Sequence, residues 1–278
     1  GAHGASGGPG TIVGMEFSGE IVKSGQNVKN ISIGDRVMCS GASAWAEYAV
    51  ADYGRVIKIP DNNMDFVRAS TLPIALATMH NAIVTIGNFT KGQTILIQGA
   101  SSGVGLMGLQ IAKNLGAKLV IGTSTKQEKF AKLQHIGADL VVNSKDKDWV
   151  DQVLQATNEE GVDLIIDQLS GYTINKNMKA SKIKGKIVNV GRLAGGNTEF
   201  DCDLHALRRI NYQGVTFRTR SISEIREVYS KMWTDFSNLV SLGKLSLPID
   251  KIFEFNDVAD ALNCMRGNQH FGKLILKL

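Results

Sequence analysis

The chain has 278 residues, enough for one large or two ordinary domains with substantial cores. Hydrophobic residues make up 43% of it and charged residues 21%, values that exclude a wholly disordered chain. The net charge of +5 would suit an anionic ligand, but the charges are interspersed. We therefore interpret the basic residues as a solvated surface, and a nucleic-acid partner is not favoured.

The three cysteines are too widely spaced for a disulfide framework, which favours a reducing compartment. No apolar run reaches the length of a membrane span and no signal peptide is visible. We therefore expect a cytoplasmic protein without a membrane partner. The chain starts at Gly1 in a glycine-rich stretch, which we interpret as a loop or a truncated start.

Residues 11–60 contain short β-like segments separated by turn residues, namely EFSGEIVKSG, IGDRVMCSG, AEYAVA and RVIKIP. From residue 73 to 217, strand patterns alternate with helical ones that end at glycines such as Gly116 and Gly137. The six strand candidates are TILIQ (94–98), KLVIG (118–122), DLVVN (139–143), DLIID (163–167), KIVNVG (186–191) and YQGVTF (212–217). This alternation predicts an α/β fold with a doubly wound parallel sheet.

The last 58 residues change in character again. Ser221 and Glu224 are spaced as a capping box, which predicts the start of a long helix. A strand (IDKIFEF), a short helix after Asn256 and a terminal strand (KLILKL) follow. We expect these pieces to complete the β-rich first part, giving a discontinuous domain of residues 1–72 and 221–278 around a nucleotide-binding domain of residues 73–220.

The loop GASSGVG, residues 99–105, follows a predicted strand and opens a predicted helix. A second strand comes about 20 residues later, as the βαβ dinucleotide fingerprint requires. Gly103 and Gly105 would let the backbone approach a pyrophosphate, whose charge the helix N-terminus favours. The alternative is a tight turn of small residues, and the strand–helix–strand context favours the phosphate site.

The end of the second strand bears on the choice of cofactor. An NAD-preferring site keeps an acid there for the ribose hydroxyls, but this chain reads Thr123, Ser124, Thr125 and then Lys126. Hydroxyls and a cation suit a 2′-phosphate, so the sequence favours NADPH. The alternative is a polar helix N-terminus with Ser124 as its cap.

The loop alone resembles the short-chain dehydrogenases, whose GxxxGxG pattern it matches literally. That family also has a Tyr-x-x-x-Lys pair, and YTINK supplies Tyr172 and Lys176. The loop lies near residue 100 rather than near the N-terminus, however, and the pair follows it by about 70 residues, half the usual gap. We interpret YTINK as the start of a helix after the fourth strand.

From residue 11 to its end, the chain resembles the medium-chain dehydrogenase/reductase superfamily, within it the zinc-free quinone oxidoreductase (zeta-crystallin-like) group. The segments that carry the resemblance are GMEFSGEIVKSGQNVKNISIGDRV, LPIALATMHNAI, GADLVVNSKDKDW, GVDLIID, KGKIVNVG, GVTFRTRS and GKLILKL. The resemblance implies a Rossmann-type domain plus a partial GroES-like domain that lacks its N-terminal part. Ser102 stands where that group usually has glycine, which is compatible with the fold if its φ is negative.

Zinc-dependent members of the superfamily carry Gly-His-Glu, whose histidine binds the catalytic metal. Here the sequence is GME, and Met15 offers only a thioether, a poor zinc ligand. Cys202 and His205 form a Cys-x-x-His pair, but no second pair lies nearby in the sequence. We therefore predict no metal.

The resemblance implies zinc-independent hydride transfer from NADPH to a small-molecule electrophile, either a quinone or the C=C bond of an α,β-unsaturated carbonyl compound. It places the pyrophosphate on Ser101, Ser102, Gly103 and Val104, and the adenosine phosphate on Gly122, Thr123, Ser124 and Lys126. The expected contacts of the nicotinamide half are Thr78, Val190, Gly191, Arg192 and Phe217. Ser144 stands on the adenosine side, where the family usually has tyrosine or histidine after its asparagine.

No catalytic acid emerges, because the family's pocket tyrosine would precede residue 1, and solvent water is the expected proton source. The alternative function is a crystallin-like nucleotide-binding or RNA-binding protein without turnover. The resemblance also implies a homodimer, with GVTFRTRS at the sheet edge where subunits join. The sequence does not identify the acceptor.

Overall fold

The computed structural model describes residues 10–60 and 64–278. The chain divides into two units, one of Gly1–Ala77 with Phe217–Leu278 and one of Thr78–Thr216. The division falls a few residues from the boundaries predicted at 72 and 220. The glycine-rich start, which we interpreted as a loop or a truncated start, falls mainly on residues 1–9, outside the described residues.

Eleven strands and nine α-helices are found in the described residues. The strands are β1 (Glu16–Glu20), β2 (Arg36–Ser40), β3 (Val56–Lys58), β4 (Thr94–Ile97), β5 (Leu119–Thr123), β6 (Leu140–Val142), β7 (Val162–Asp167), β8 (Ser181–Asn189), β9 (Asn211–Gly214), β10 (Ile249–Glu254) and β11 (Lys273–Lys277). The helices are α1 (Phe66–Ala69), α2 (Pro73–Met79), α3 (Gly103–Asn114), α4 (Phe130–Ile136), α5 (Trp149–Ala156), α6 (Ile174–Ala180), α7 (Cys202–Arg208), α8 (Ile222–Ser241) and α9 (Val258–Gly267). A π-helical segment, His80–Ile86, continues α2.

The second unit is built on one parallel sheet in the order β6-β5-β4-β7-β8-β9. The order runs outward from β4 to β6 on one side and from β7 to β9 on the other. This is the doubly wound arrangement that the sequence predicts, and the crevice for a ligand lies where the order reverses, beyond the carboxyl ends of β4 and β7.

One face of that sheet packs on α5 and α6. The buried cluster there combines strand residues with Trp149 and Val153 of α5 and Met178 of α6. The strand residues in the cluster are Leu96, Ile121, Val142, Val162, Ile165 and Ile187. Side chains alternate along a strand, so Gln98, two residues after Leu96, and Thr123, two residues after Ile121, point to this same buried face.

The first unit contains an antiparallel sheet in the order β1-β2-β3. The predicted capping box is confirmed, because Ser221 and Glu224 bond to each other's backbone N–H at the start of α8. Asp52 accepts two hydrogen bonds from the Arg226 guanidinium, at 2.9 and 2.6 Å, which fixes α8 to the segment before β3. Such a bidentate pair sets the orientation of the helix as well as its position.

Glu16, the acid of the GME segment, joins three parts of this first unit. One carboxylate oxygen accepts from the backbone N–H of Ile74 at 2.7 Å, at the start of α2, and the other pairs with Lys273 of β11. Burial raises the pKa of Glu16, although the Lys273 ammonium opposes that shift. The residue therefore has a structural role that the sequence did not reveal.

Three strand segments differ from the predictions. AEYAVA, residues 46–51, forms no strand, and β9 ends at Gly214 instead of residue 217. β8 begins at Ser181, five residues earlier than predicted, directly after α6. The predicted terminal strands, β10 and β11, belong to the first unit and pair with each other in a separate parallel sheet.

One helical run, Phe66–Ile86, has the length and composition of a membrane span, although the sequence analysis expected no such run. Of its most apolar window, 67% is buried inside the folded chain. Burial of this kind is also the property of a core helix that is apolar on all sides.

Candidate dinucleotide-binding site

The glycine loop connects β4 to α3 as predicted, and Ser102 fits it. Ser102 has φ −76° and ψ 156°, an extended conformation that any residue can adopt. Its hydroxyl accepts a hydrogen bond from the Gly105 N–H at 3.0 Å and so caps α3. Serine in place of the family's glycine therefore costs no strain and stabilises the start of the helix.

Gly105 is the glycine that the loop cannot replace. A Cβ atom at this position would lie 2.6 Å from the Gly99 carbonyl oxygen and 2.7 Å from the Ala100 Cα. Gly99 itself has φ +68°, a left-handed conformation that favours glycine. Both features keep the loop backbone close against the first turn of α3, whose N-terminus favours an anion.

A fully buried polar group lies beneath the loop. The Gln98 side chain donates to Asn177 Oδ1 at 2.6 Å and accepts from the Thr123 hydroxyl at 2.8 Å. The Thr123 oxygen in turn accepts from the Gly99 N–H at 2.9 Å. All three side chains are fully buried. Thr123 was predicted to hold the adenosine phosphate, but its hydroxyl instead bonds to Gln98 and to the Gly99 N–H and so anchors the loop.

Gln168 anchors the other side of the loop. Its amide donates to the Gln98 carbonyl at 3.0 Å, and its oxygen accepts from the Ser102 hydroxyl at 3.1 Å. Sequence analysis missed Gln98 and Gln168, which follow strands β4 and β7, and Asn177 of α6, because such amide residues belong to no nucleotide-binding motif. The glutamine that follows the apolar run of TILIQ is the signal that could have found Gln98.

The structure brings Ser101 and Ser124 together. Their hydroxyl oxygens are 3.4 Å apart, and the Ser124 hydroxyl also accepts from the Lys126 N–H at 3.2 Å. Gly122, at the end of β5, is buried against Ala100. Lys126 is partly buried and Thr125 is exposed. The hydroxyl of Ser124, just after β5, therefore lies beside the hydroxyl of Ser101 in the glycine loop, and Lys126 follows two residues later.

Ser144 lies on the next strand end, after β6. Its side chain is buried, and its hydroxyl lies 3.4 Å from the phenolic oxygen of Tyr172. Asn143 folds back to accept from the Lys145 N–H at 3.1 Å, a turn that shapes this loop. The structure thus pairs the predicted Ser144 with a tyrosine that the sequence analysis set aside.

The loops after β7 and β8 are held together by backbone bonds. The N–H groups of Val190 and Gly191 donate to the Asp167 carbonyl at 2.7 and 3.1 Å. A Cβ on Gly191 would lie 2.6 Å from the Gln168 carbonyl oxygen, so glycine is required there. Burial raises the pKa of Asp167, whose carboxylate accepts from two backbone N–H groups. Arg192, next in the chain, is exposed.

The two remaining predicted residues lie outside this group. Thr78 is partly buried in α2, near the start of the second unit. Phe217 belongs to the first unit, three residues past the end of β9, and the guanidinium of Arg220 lies 5.4 Å from its ring centroid. The structure describes both positions without testing a contact to the nicotinamide.

The residues at the position of the family's catalytic metal do not fit zinc. The Met15 side chain, in the place of the histidine, is 48% exposed. The cysteine on the neighbouring strand β2, Cys39, is buried, and desolvation raises its pKa to about 12, which disfavours the thiolate that zinc needs. Within residues 10–60 and 64–278, no three His, Cys, Asp or Glu side chains cluster as metal ligands would.

Two protein-family models match the chain. The model described as "Alcohol dehydrogenase GroES-like domain" matches residues 2–61, and the model described as "Zinc-binding dehydrogenase" matches residues 103–235. Their order along the chain agrees with the two folded units. The chain belongs to the medium-chain dehydrogenase/reductase superfamily. Both matched models describe domains of dehydrogenases.

Solved structures of the superfamily have the same fold. A quinone oxidoreductase from Pseudomonas syringae pathovar tomato superposes with a TM-score of 0.87 at 22% identity, over 98% of this chain and 84% of that one. The mycobacterial protein Rv1454c, complexed with NADPH, superposes with a TM-score of 0.86 at 22% identity, over 96% of this chain and 83% of that one. The JamJ enoyl reductase in its apo form superposes with a TM-score of 0.84 at 24% identity, over 95% of this chain and 78% of that one.

The curated relatives of the chain include much larger proteins. Highly reducing polyketide synthase 40 of Fusarium pseudograminearum is 27% identical over 99% of this chain, which corresponds to 11% of that protein. The chain thus spans about a tenth of the length of the polyketide synthases that it matches.

Proposed function

We propose that the protein is an NADPH-dependent, zinc-independent reductase of quinones or of the C=C bond of α,β-unsaturated carbonyl compounds. The observation that carries the proposal is the loop at residues 99–105, which leaves no room for a Cβ at Gly105 and opens a helix of twelve residues. Beside it stand Ser101, Ser124 and Lys126, with no acid at the end of β5.

In this proposal, the backbone N–H groups of Ser101, Gly103 and Val104 bind the pyrophosphate at the positive end of α3, while the Ser102 N–H donates to the Gly99 carbonyl at 3.1 Å. Ser124 and Lys126 bind the 2′-phosphate, because an ammonium and a hydroxyl suit a dianion that a carboxylate would repel. When bound, NADPH supplies the hydride. Gly191 and Arg192, after β8, are proposed to flank the nicotinamide half.

Two features support reduction without a metal. Met15 offers a poor ligand at the position where zinc would polarise an alcohol or carbonyl. A quinone or an enone is already polarised, so orientation by the protein and protonation by solvent water suffice for it. Asp167 is fully buried and its Oδ1 accepts from two backbone N–H groups, so we assign it no role in proton transfer to an acceptor.

Similarity to polyketide synthases and to the JamJ enoyl reductase supports an enone as the acceptor, and similarity to a quinone oxidoreductase supports a quinone. The test is to mix the protein with NADPH and a panel of quinones and enones, and to follow the absorbance of the reduced cofactor. We expect turnover with at least one class. Saturable NADPH binding without turnover on any acceptor would instead support the alternative, a crystallin-like or RNA-binding protein.

Replacing Lys126 with Glu should weaken NADPH binding by about 10- to 100-fold, the usual value of a hydrogen bond to a charged group, and change NADH binding by less than about twofold. Fluorescence titration of both cofactors measures the two dissociation constants. Lys179→Glu, at an exposed position of α6, makes the same change in net charge away from the site and serves as the control. Equal weakening of NADPH and NADH by Lys126→Glu would contradict the phosphate assignment.

The homodimer and the cytoplasmic location stay predictions. The edge strand β9 is mostly exposed, which supports an assembly that extends the sheet through this edge. The absence of membrane and nucleic-acid partners is likewise a prediction from composition.

A further inference from the structure

Tyr172 is a tyrosine at the nucleotide end of the sheet that the proposed function leaves without a role. Its side chain is 46% exposed, while its phenolic oxygen lies 3.4 Å from the buried hydroxyl of Ser144. A partly exposed aromatic ring whose hydroxyl contacts a buried side chain is suited to stacking on a flat ligand.

Tyr172 continues the polar row that begins at the glycine loop. Ser101 and Ser124 are 3.4 Å apart, and the Ser124 N–H donates to the Val142 carbonyl at 3.1 Å. Ser144 follows two residues after Val142 and contacts Tyr172. The row therefore runs along the carboxyl edge of the sheet, from the loop past β5 and β6 to Tyr172.

The segment that carries the ring is rigid. Tyr172 is the middle residue of a short 3₁₀ turn, Gly171–Thr173, and the Thr173 hydroxyl donates to the Ser170 carbonyl at 2.9 Å. One helical turn later, the Lys176 ammonium donates to the Asp146 carbonyl at 3.5 Å and so joins α6 to the loop after β6. A ring held in this way loses little entropy when a ligand stacks on it.

We propose that Tyr172 is the aromatic contact for the adenine base of the bound dinucleotide, with Ser144 as the residue that positions its phenol. This inference rests on the proposed function, because it needs an adenine dinucleotide in the site. It assigns the base to one named side chain on the far side of the ribose from Lys126. It also explains why a small residue is sufficient at position 144, since the ring comes from the loop after β7.

Isothermal titration calorimetry with 2′,5′-ADP and with reduced nicotinamide mononucleotide separates the two halves of the cofactor. Tyr172→Leu should weaken 2′,5′-ADP by about tenfold, the size expected for base–aromatic stacking, and leave the mononucleotide unchanged. Tyr172→Phe keeps the ring and should stay within about twofold of the wild type. Tyr48→Leu, at an exposed tyrosine of the other unit, is the matched control and should change neither ligand.

A second measurement covers the case in which a variant is destabilised. In the wild type, the adenine H2 and H8 NMR signals of 2′,5′-ADP should move upfield on binding, because an aromatic ring lies over the base, and Tyr172→Phe should retain that shift. Unchanged 2′,5′-ADP affinity in Tyr172→Leu, or equal losses in the Phe and Leu variants, would overturn the stacking role. If the wild type binds neither 2′,5′-ADP nor NADPH, the proposed function fails first, and this inference fails with it.

Discussion

Gly105→Val lowers the affinity for NADPH by about a hundredfold or more, while the protein still folds. The reason is the distance of 2.6 Å between an added Cβ and the Gly99 carbonyl oxygen, with the Ala100 Cα at 2.7 Å. These are backbone atoms, so they cannot give way as the end of a flexible side chain does. The loop must shift away from α3, and a displacement of about 1 Å in a positioning element is enough for a hundredfold loss.

Overpacking of this kind usually costs about 1–3 kcal/mol of stability, which a domain of this size tolerates. A control separates the effect of crowding from the effect of any glycine substitution. Gly19→Ala adds a Cβ where no atom lies within 4 Å. This control should keep NADPH affinity within about threefold, because it does not touch the glycine loop. Full affinity in Gly105→Val would mean that the loop does not hold the pyrophosphate.

The sheet of the second unit was predictable because its strands are local and strongly patterned. Short Val/Ile/Leu-rich runs separated by helices with glycine ends predict parallel strands, and the strand order then follows from the rules of doubly wound sheets. The capping box of α8 is equally local, since Ser221 and Glu224 are three residues apart. Features that depend on a few neighbouring residues were found from the sequence.

Pairing partners were not predictable in the first unit. AEYAVA alternates as a strand does, but the structure leaves Tyr48 77% and Val50 93% exposed, with no partner strand in the part of the chain that is described. Alternation records only that a segment is extended. The terminal strands β10 and β11 were located correctly, but the sequence does not say which strand each one joins, and they pair with each other.

In the candidate site, too, the local features were predictable and the contacts between distant residues were not. The loop and the hydroxyls after β5 were found from local motifs, whereas Gln98 and Asn177 are 79 residues apart and meet only through the fold. Strand alternation explains what the sequence analysis missed about Thr123. Thr123 lies two residues after Ile121, which faces the buried layer of α5 and α6, so the Thr123 hydroxyl points inward and bonds to Gln98. The next residue, Ser124, has its hydroxyl beside that of Ser101 in the glycine loop.

Gln98→Leu should lower the free energy of unfolding by about 2–4 kcal/mol, the largest stability effect expected in the site. Leucine fills a similar volume but leaves Asn177 Oδ1 and the Thr123 hydroxyl without the bonds of 2.6 and 2.8 Å that Gln98 makes. Each buried polar group that loses its partner costs about 1–3 kcal/mol. Urea denaturation measures the loss, and Gln155→Leu, at an exposed position of α5, should stay within about 0.5 kcal/mol of the wild type.

The double variant Gln98→Leu/Thr123→Val tests whether these side chains act as one unit. Both single variants remove the same Gln98–Thr123 bond, so the double variant should cost about 1 kcal/mol less than the sum of the two. Strict additivity would contradict a connected network. Because the Thr123 oxygen also accepts from the Gly99 N–H, loss of the network should loosen the glycine loop. NADPH affinity should then fall together with stability, linking the buried amides to the function of the loop above them.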